Sequence, residues 1–376
     1  MKLAQISIKN FRNHRETRLE FGDAVNVLSG GNGEGKTNVL EAICYFALAK
    51  SFYSAGDPTT LKIGEEAFEL DGRIHSGSGG EHRITIRYSA KTGEKSIAIN
   101  RVPLERLHSL IGRFPVVLLS PESERIISGP PGERRKFLDL VLSQQSRTYF
   151  EDLLEYRRVL KQRNRLLTEA RDGTRVTEEV LSPWTRSLIH LGARIVMRRR
   201  DFVEGFRASL SPVFQLLTGN KEEVGVQYLT RPVMDSCTDE QMVAQALAEE
   251  TQRCVVEEFR RGSSLVGPHR DEVLLTIDGR SVQAYASQGQ QKTLLLAMKI
   301  AEFDHLREKV GDAPILLLDD LFGELDAGRS ERVIGVISTL GQSIITATGD
   351  TPFKNLIHWN AQNRRFAVES GTCRPW

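Results

Sequence analysis

The residues best equipped for chemistry lie in Val25-Asn26-Val27-Leu28-Ser29-Gly30-Gly31-Asn32-Gly33-Glu34-Gly35-Lys36-Thr37-Asn38. An apolar run leads into a glycine-rich turn, then Lys-Thr, then helix-forming residues as far as Lys50. Strand, glycine turn and helix in this order make a phosphate-binding loop. Gly30, Gly31, Gly33 and Gly35 can take positive φ, and without Cβ atoms they let consecutive amides converge on phosphate oxygens. A helix starting near Lys36 points its positive end at the same place. Lys36 adds a mobile ammonium for the β- and γ-phosphates of ATP, and the Thr37 hydroxyl can ligate Mg²⁺. Asn32 and Asn38 complete the expected nucleotide-binding residues of the loop.

Two further stretches carry the rest of such a site. Ile315-Leu316-Leu317-Leu318 is an apolar strand that ends in Asp319-Asp320. Asp319 is placed to hold Mg²⁺ beside Thr37, and Asp320 to orient or deprotonate an attacking water. Asp320 and Lys36 are the expected catalytic residues. Ser287-Gln288-Gly289-Gln290-Gln291-Lys292 ends 27 residues before Asp319. Its serine hydroxyl and glycine amide at a helix start form a second anion-binding surface, with Ser287, Gly289 and Gln290 as the residues concerned.

The elements that position these groups come from both ends of the chain. Residues 2 to 9 alternate as a half-buried strand, and Asn10 to His14 follow as a polar turn containing Arg12, a candidate nucleotide or DNA contact or a plain surface arginine. Phe68 to Val102 alternates in short runs broken by turns, as an antiparallel meander does. Val116-Val117-Leu118-Leu119 is continuously apolar, the pattern of a buried central strand. After Gly129-Pro130-Pro131-Gly132 the composition shifts to charged, helical segments as far as about Leu217. A strand over Glu222–Leu229, a helix over Asp239–Arg261 and a return to buried alternation from Val273 follow, with a last strand over Phe366–Glu369. The expected boundaries are 1–120 and 265–376 for one α/β lobe and 121–264 for a mostly helical insertion.

With 376 residues the chain can bury a sizeable core, and a net charge of +2 does not by itself ask for a nucleic acid. The distribution is uneven, with 17 Lys and Arg against 10 Asp and Glu between Arg134 and Arg207. Arg157, Lys161 and Arg165 recur four apart on one helix, and Arg194, Arg198, Arg199 and Arg200 crowd a second. They are either a solvated face or a contact to DNA phosphates. Cys44, Cys237, Cys254 and Cys373 have neither disulfide-framework nor zinc spacing. No apolar run approaches the length of a membrane span, so the chain is expected to be neither secreted nor membrane-spanning, and its expected location is cytoplasmic.

Asn10-Phe11-Arg12-Asn13, the loop GGNGEGKTN, Ser120-Pro121-Glu122, Pro131–Asp139, Gly267-Pro268-His269-Arg270-Asp271, SQGQQK and LLLDDLFGELD occur together in one order. In this the chain resembles the RecF family of bacterial recombination and repair ATPases, which is similar to the heads of the chromosome-structuring SMC proteins without their long coiled coils. The resemblance implies an ABC-type ATPase head with an antiparallel β meander and a helical inserted lobe. It also implies a weak, DNA-associated ATPase acting as an ATP-dependent homodimer that binds single-stranded and duplex DNA without sequence preference. RecO and RecR would be its partners in placing RecA on gapped DNA. Ser287 and Gly289 would meet the γ-phosphate held by the other subunit, and Glu324-Leu325-Asp326 resembles a loop communicating across that interface. The chain departs from the pattern in having Asp320 where glutamate is usual, Thr346-Ala347-Thr348 where a switch histidine is expected, and Tyr53 where arginine is expected. His269 either lines the site near the signature or satisfies local backbone groups, and Arg270 and Asp271 could pair with each other. A P-loop kinase, or a transporter-type ABC subunit serving a membrane partner, would share Lys36 and Asp319. The kinase has no use for SQGQQK, and the transporter subunit has none for the helical arm.

Overall fold

The computed structural model describes residues 1–376 except 53–55, 232, 233, 235, 325, 326, 350–352, 354 and 355. Two compact units emerge, one made of Met1–Glu124 with Leu296–Trp376 and the other of Arg125–Leu295.

The first unit opens with the hairpin β1 (Lys2–Phe11) and β2 (His14–Glu20), then β3 (Val25–Ser29) and helix α1 (Lys36–Leu48). The meander follows as β4 (Ala67–His75), β5 (Glu81–Ser89), β6 (Glu94–Ile99) and β7 (Val102–Pro103), and then β8 (Val116–Leu119). The antiparallel sheet has the order β2-β1-β4-β5-β6-β7. Its strands alternate buried and open residues, as a sheet with one covered face must.

In the second unit come α2 (Arg125–Ser128), α3 (Pro131–Gln145), α4 (Arg147–Arg171), α5 (Glu178–Thr218), β9 (Val224–Leu229), α6 (Glu240–Arg261), β10 (Glu272–Ile277), β11 (Arg280–Ser281) and α7 (Val282–Tyr285). Helix α8 (Gln288–Val310) starts here and runs on into the first unit. The short sheet β11-β10-β9 explains why residues 265–295, assigned from sequence to the α/β lobe, group with the helices: β10 pairs along its length with β9. On α4 the buried stripe is Tyr149, Leu153, Tyr156, Val159, Arg163 and Leu167, the 3–4 spacing of a helix with one packed face. Arg163 is tolerated there because its guanidinium donates to Glu258 (2.6 Å), Ser264 (2.7 Å) and Thr185 (2.9 Å).

The first unit is completed by β12 (Ile315–Leu318), α9 (Ala327–Leu340), β13 (Ser343–Ala347), β14 (Arg364–Glu369) and β15 (Thr372–Pro375). These join β3 and β8 in the order β15-β14-β3-β13-β12-β8, with every neighbour parallel except β15 against β14. The strand expected to be central, β8, stands at the sheet's edge; its apolar run reflects burial of its faces. The chain also runs past Glu369 to form the β14–β15 hairpin. Helix α1 contacts both β1 and β13, which is why it is buried almost all round.

Candidate functional site

β3 is buried along its whole length and delivers the glycine loop at the carboxyl edge of the parallel sheet, where open α/β sheets bind ligands. The glycines serve different ends. Gly33 and Gly35 do take positive φ, 82° and 108°. Gly30 and Gly31 do not, contrary to expectation; a Cβ on Gly30 would lie 2.3 Å from the carbonyl oxygen of Val368, so the requirement there is close approach. Gly35 is the N-cap of α1, and the Lys36 Nζ bridges the loop by donating to the carbonyls of Gly30 (2.8 Å) and Gly31 (2.6 Å). Burial lowers the Lys36 pKa, while the carboxylates of Asp320, Asp319 and Glu34 oppose that shift. Asn32 is exposed at the loop's tip.

The two chemical stretches expected to meet do meet. Thr37 Oγ1 donates to both carboxylate oxygens of Asp319, at 2.8 and 3.1 Å, across 282 residues of sequence. Asp319 is buried, and its position is fixed from the other side by Thr346, whose hydroxyl donates to Asp319 Oδ1 at 2.7 Å. The same Thr346 oxygen accepts from the Asp320 backbone N–H at 2.9 Å. Thr346 therefore occupies the switch-histidine segment as a structural tie between both aspartates. Asp320 is exposed and held at φ 51°, a left-handed conformation that aspartate tolerates better than most residues.

Sequence reasoning missed the buttress behind the loop. Asn13 donates from Nδ2 to the Glu34 carbonyl (3.0 Å) and accepts from Asn38 Nδ2 (2.8 Å). Asn38, expected at the nucleotide, thus has its amide nitrogen turned to the β1–β2 turn. Buried His14 donates from Nε2 to the Gly35 carbonyl at 3.0 Å, with its Nδ1 against Thr17 Oγ1 at 2.8 Å. Burial lowers the His14 pKa. From the far end of the chain, Gly371 N–H donates to the Glu34 carbonyl (2.9 Å) and Ser370 N–H to the Glu34 carboxylate. Arg12 also turns inward: Nε and Nη2 donate to buried Glu41 at 2.8 and 2.7 Å, and Nη1 to the Thr59 carbonyl at 2.8 Å. The Asn-Phe-Arg-Asn turn was visible as a motif, but its partner Glu41 carried no sequence signal.

In the second unit, Ser287 and Gln290 form a reciprocal cap at the start of α8. Ser287 N–H donates to Gln290 Oε1 (2.8 Å) and Gln290 N–H to Ser287 Oγ (3.3 Å). Ser287 is exposed, and its hydroxyl proton remains available to an anion; Gln290 Nε2 is engaged by Glu222 at 2.7 Å. Gly289 lies half-buried in the first turn.

The basic residues divide. Arg199, expected at DNA, is buried: its guanidinium donates to Asp139 (2.7 Å), the Pro268 carbonyl (2.7 Å) and Tyr149 (3.1 Å), so it holds the unit together instead. Arg157, Lys161, Arg165 and Arg198 are exposed, Arg157 pairing with Asp139 and Arg165 with Glu169. Segments Pro131–Asp139 and 267–272 bind each other, Arg134 forking onto Glu272 at 2.8 and 3.0 Å and Arg135 donating to the Asp271 carbonyl at 2.7 Å. His269 satisfies local groups, facing the Ser264 carbonyl (3.1 Å) and the Tyr156 hydroxyl (2.6 Å), and burial pushes its pKa down to about 4. Arg270 does not pair with Asp271; it donates to the Ser264 carbonyl, and Asp271 accepts from Tyr228. Tyr53, Leu325 and Asp326 lie outside the described residues.

The model of the RecF/RecN/SMC N terminal domain matches residues 2–369. The DNA replication and repair protein RecF of Chloroherpeton thalassium is 40% identical over 351 residues, covering 93% of this chain and 95% of that protein. The chain belongs to the RecF family. RecF of Chlorobaculum tepidum is 37% identical over 98% of this chain and 100% of that protein. Among solved structures, the recombination mediator protein RecF with ATPrS in the RecFOR pathway superimposes with a TM-score of 0.91 at 31% identity, over 100% of this chain and 98% of that one. An SMC head bound to the winged-helix domain of ScpA matches with a TM-score of 0.57 at 15% identity, over 100% of this chain and 97% of that one, a likeness of fold. Among the described residues no helix is long and apolar enough to cross a membrane.

Proposed function

We propose that this RecF-family chain is an ATP-dependent DNA-binding protein of replication and recombinational repair, in which ATP closes two copies over DNA and slow hydrolysis reopens them. The observation that carries the reading is the Thr37–Asp319 hydrogen bond, which joins a glycine loop to an acidic strand end on one sheet edge. Thr37 and Asp319 are hard oxygen donors side by side, a set that fits Mg²⁺ with phosphate oxygens and waters as its remaining ligands. Among the described residues no cluster of three His, Cys, Asp or Glu could hold a metal alone, consistent with an ion that arrives with the nucleotide.

Bound Mg²⁺·ATP supplies the anhydride bond that is cleaved and the charge that draws the site together. In this reading the loop amides and Lys36 bind the phosphates, the exposed Asp320 carboxylate orients water, and Ser287 with Gly289 serves the second subunit's nucleotide. Thr346 keeps Asp319 and the Asp320 backbone in register. Asp320 is one methylene shorter than the usual glutamate, which suits slow turnover. Lys161, Arg165, Arg157 and Arg198 are the remaining candidates for phosphate contacts, which position DNA without reading its sequence. RecO and RecR as partners, and RecA as beneficiary, follow from family membership. A small-molecule kinase leaves the signature without a role.

Sedimentation with and without Mg²⁺·ATP tests this. The wild type should pass from monomer to dimer, Lys36→Met should neither bind ATP nor dimerise, and Ser287→Arg should bind ATP yet stay monomeric. A chain that hydrolyses ATP as a monomer at every concentration overturns the two-copy mechanism.

A further inference from the structure

Three of the chain's flat, π-bearing groups are stacked on the first unit's outer surface. The Arg365 guanidinium lies 4.7 Å from the centre of the Trp376 ring and 5.6 Å from that of Trp359. Trp376 is anchored by its backbone N–H to the Arg365 carbonyl (3.1 Å), yet it is 61% exposed. A large indole held in place and left open to water is a binding surface already ordered. These groups floor a groove of about 580 Å³ that Arg18 and Arg364 also line; among the described residues Glu20, 3.7 Å from Arg18, is its one acidic member. Arg364 is fixed by donating to the Glu20 carbonyl at 2.8 Å. Arg18 lines in addition the neighbouring groove on the open face of the antiparallel sheet, with Arg73, Arg83 and Arg101 set against Asp71 and Glu81.

Open aromatic faces beside guanidiniums fit a polyanion whose bases are unstacked. Duplex DNA hides its base faces, so its phosphates would meet the arginines while the indoles stayed idle. We propose that the groove floored by Trp359, Arg365 and Trp376 binds single-stranded DNA, stacking a base on the open face of Trp376 and pairing phosphates with Arg18 and Arg364. The arginines of the neighbouring groove continue the backbone's path. This rests on the reading of the chain as a DNA-binding protein and adds which strand state this surface selects.

The test uses the full chain with Mg²⁺·ATP, a labelled oligothymidylate and a blunt duplex, read by anisotropy and by indole emission. Trp376→Ala should weaken oligothymidylate binding roughly 5- to 150-fold, the range of base-on-aromatic stacking, and abolish the oligothymidylate-induced loss of emission. Duplex affinity should stay within about twofold of wild type, and Trp376→Phe, which keeps a stacking face, should retain most of the single-strand affinity. The proposal is overturned if Trp376→Ala binds oligothymidylate like wild type, if both DNAs weaken alike, or if polyglutamate quenches the indoles as well as oligothymidylate does. A wild type that binds neither DNA overturns the DNA-binding reading as well, whereas one that binds duplex alone overturns this inference and leaves that reading standing.

Discussion

Replacing Thr346 by valine keeps the shape of the side chain and removes one oxygen. That oxygen accepts from the Asp320 N–H at 2.9 Å and its proton goes to Asp319 at 2.7 Å, so two bonds disappear at once. Stranding a partly buried N–H costs about 1–3 kcal/mol, and removing a hydrogen bond to a charged group about 1.5–3 kcal/mol. The two together predict about 2.5–6 kcal/mol, or a Tm lowered by roughly 5–24 °C for a unit of this size. With Asp319 no longer held from behind, ATP turnover should fall about tenfold to 100-fold and need more Mg²⁺ to saturate. Thr346→Ser keeps the oxygen and should restore both the Mg²⁺ requirement and most of the stability. Urea denaturation and steady-state hydrolysis over a Mg²⁺ series read all of this. The reasoning is refuted if Thr346→Val melts and turns over like wild type, or if the serine variant is as damaged as the valine one.

Glu258→Ala strands the Arg163 guanidinium in the second unit's core and should cost about 3–5 kcal/mol by urea denaturation, whereas Arg163→Met with Glu258→Leu should recover much of that loss. Burial lifts the Asp271 carboxyl from its ordinary 3.8 to about 6, against the pull of Tyr228 and Arg199. Between those values the folded chain holds a proton that the unfolded chain has released, so this contribution is present at low pH and lost as pH rises through 6. Asp271→Asn should therefore be most destabilising near pH 4 and about 3 kcal/mol less so above pH 6, relative to wild type at each pH. Changing Lys161 and Arg165 together to alanine should lower the slope of log K against log salt by about 0.9 for each phosphate that these side chains neutralise, equally for all DNA sequences; an unchanged slope removes both from the interface.

How much of this was legible depended on whether a residue's neighbours were close in sequence. The loop, the Asp319-Asp320 strand end and the Ser287 cap are local patterns, and each lies where its pattern implies. The order of the parallel sheet was not readable, because an apolar strand such as Val116–Leu119 looks the same at an edge as at the centre. Arg199 read as surface charge because the carboxylate that permits its burial, Asp139, lies 60 residues away. Gly30 was assigned the wrong reason for the same cause: the carbonyl that crowds it belongs to Val368. His269 could be read either way until Tyr156 and Ser264 were placed around it.

The sheet order also sets a schedule for synthesis. Strand β3 enters the ribosomal exit path early, yet its neighbours on both sides, β13 and β14, are made more than three hundred residues later. At about 5–20 residues per second, β3 waits roughly 15–60 s for a partner, while the β1–β2 hairpin and the helices of the second unit have theirs almost at once. The nascent chain thus acquires its helical unit before it acquires a nucleotide site. A chain released before Arg364–Glu369 is made lacks the strand that crowds Gly30 and the turn that grips Glu34, so an incomplete product carries a glycine loop without its buttress.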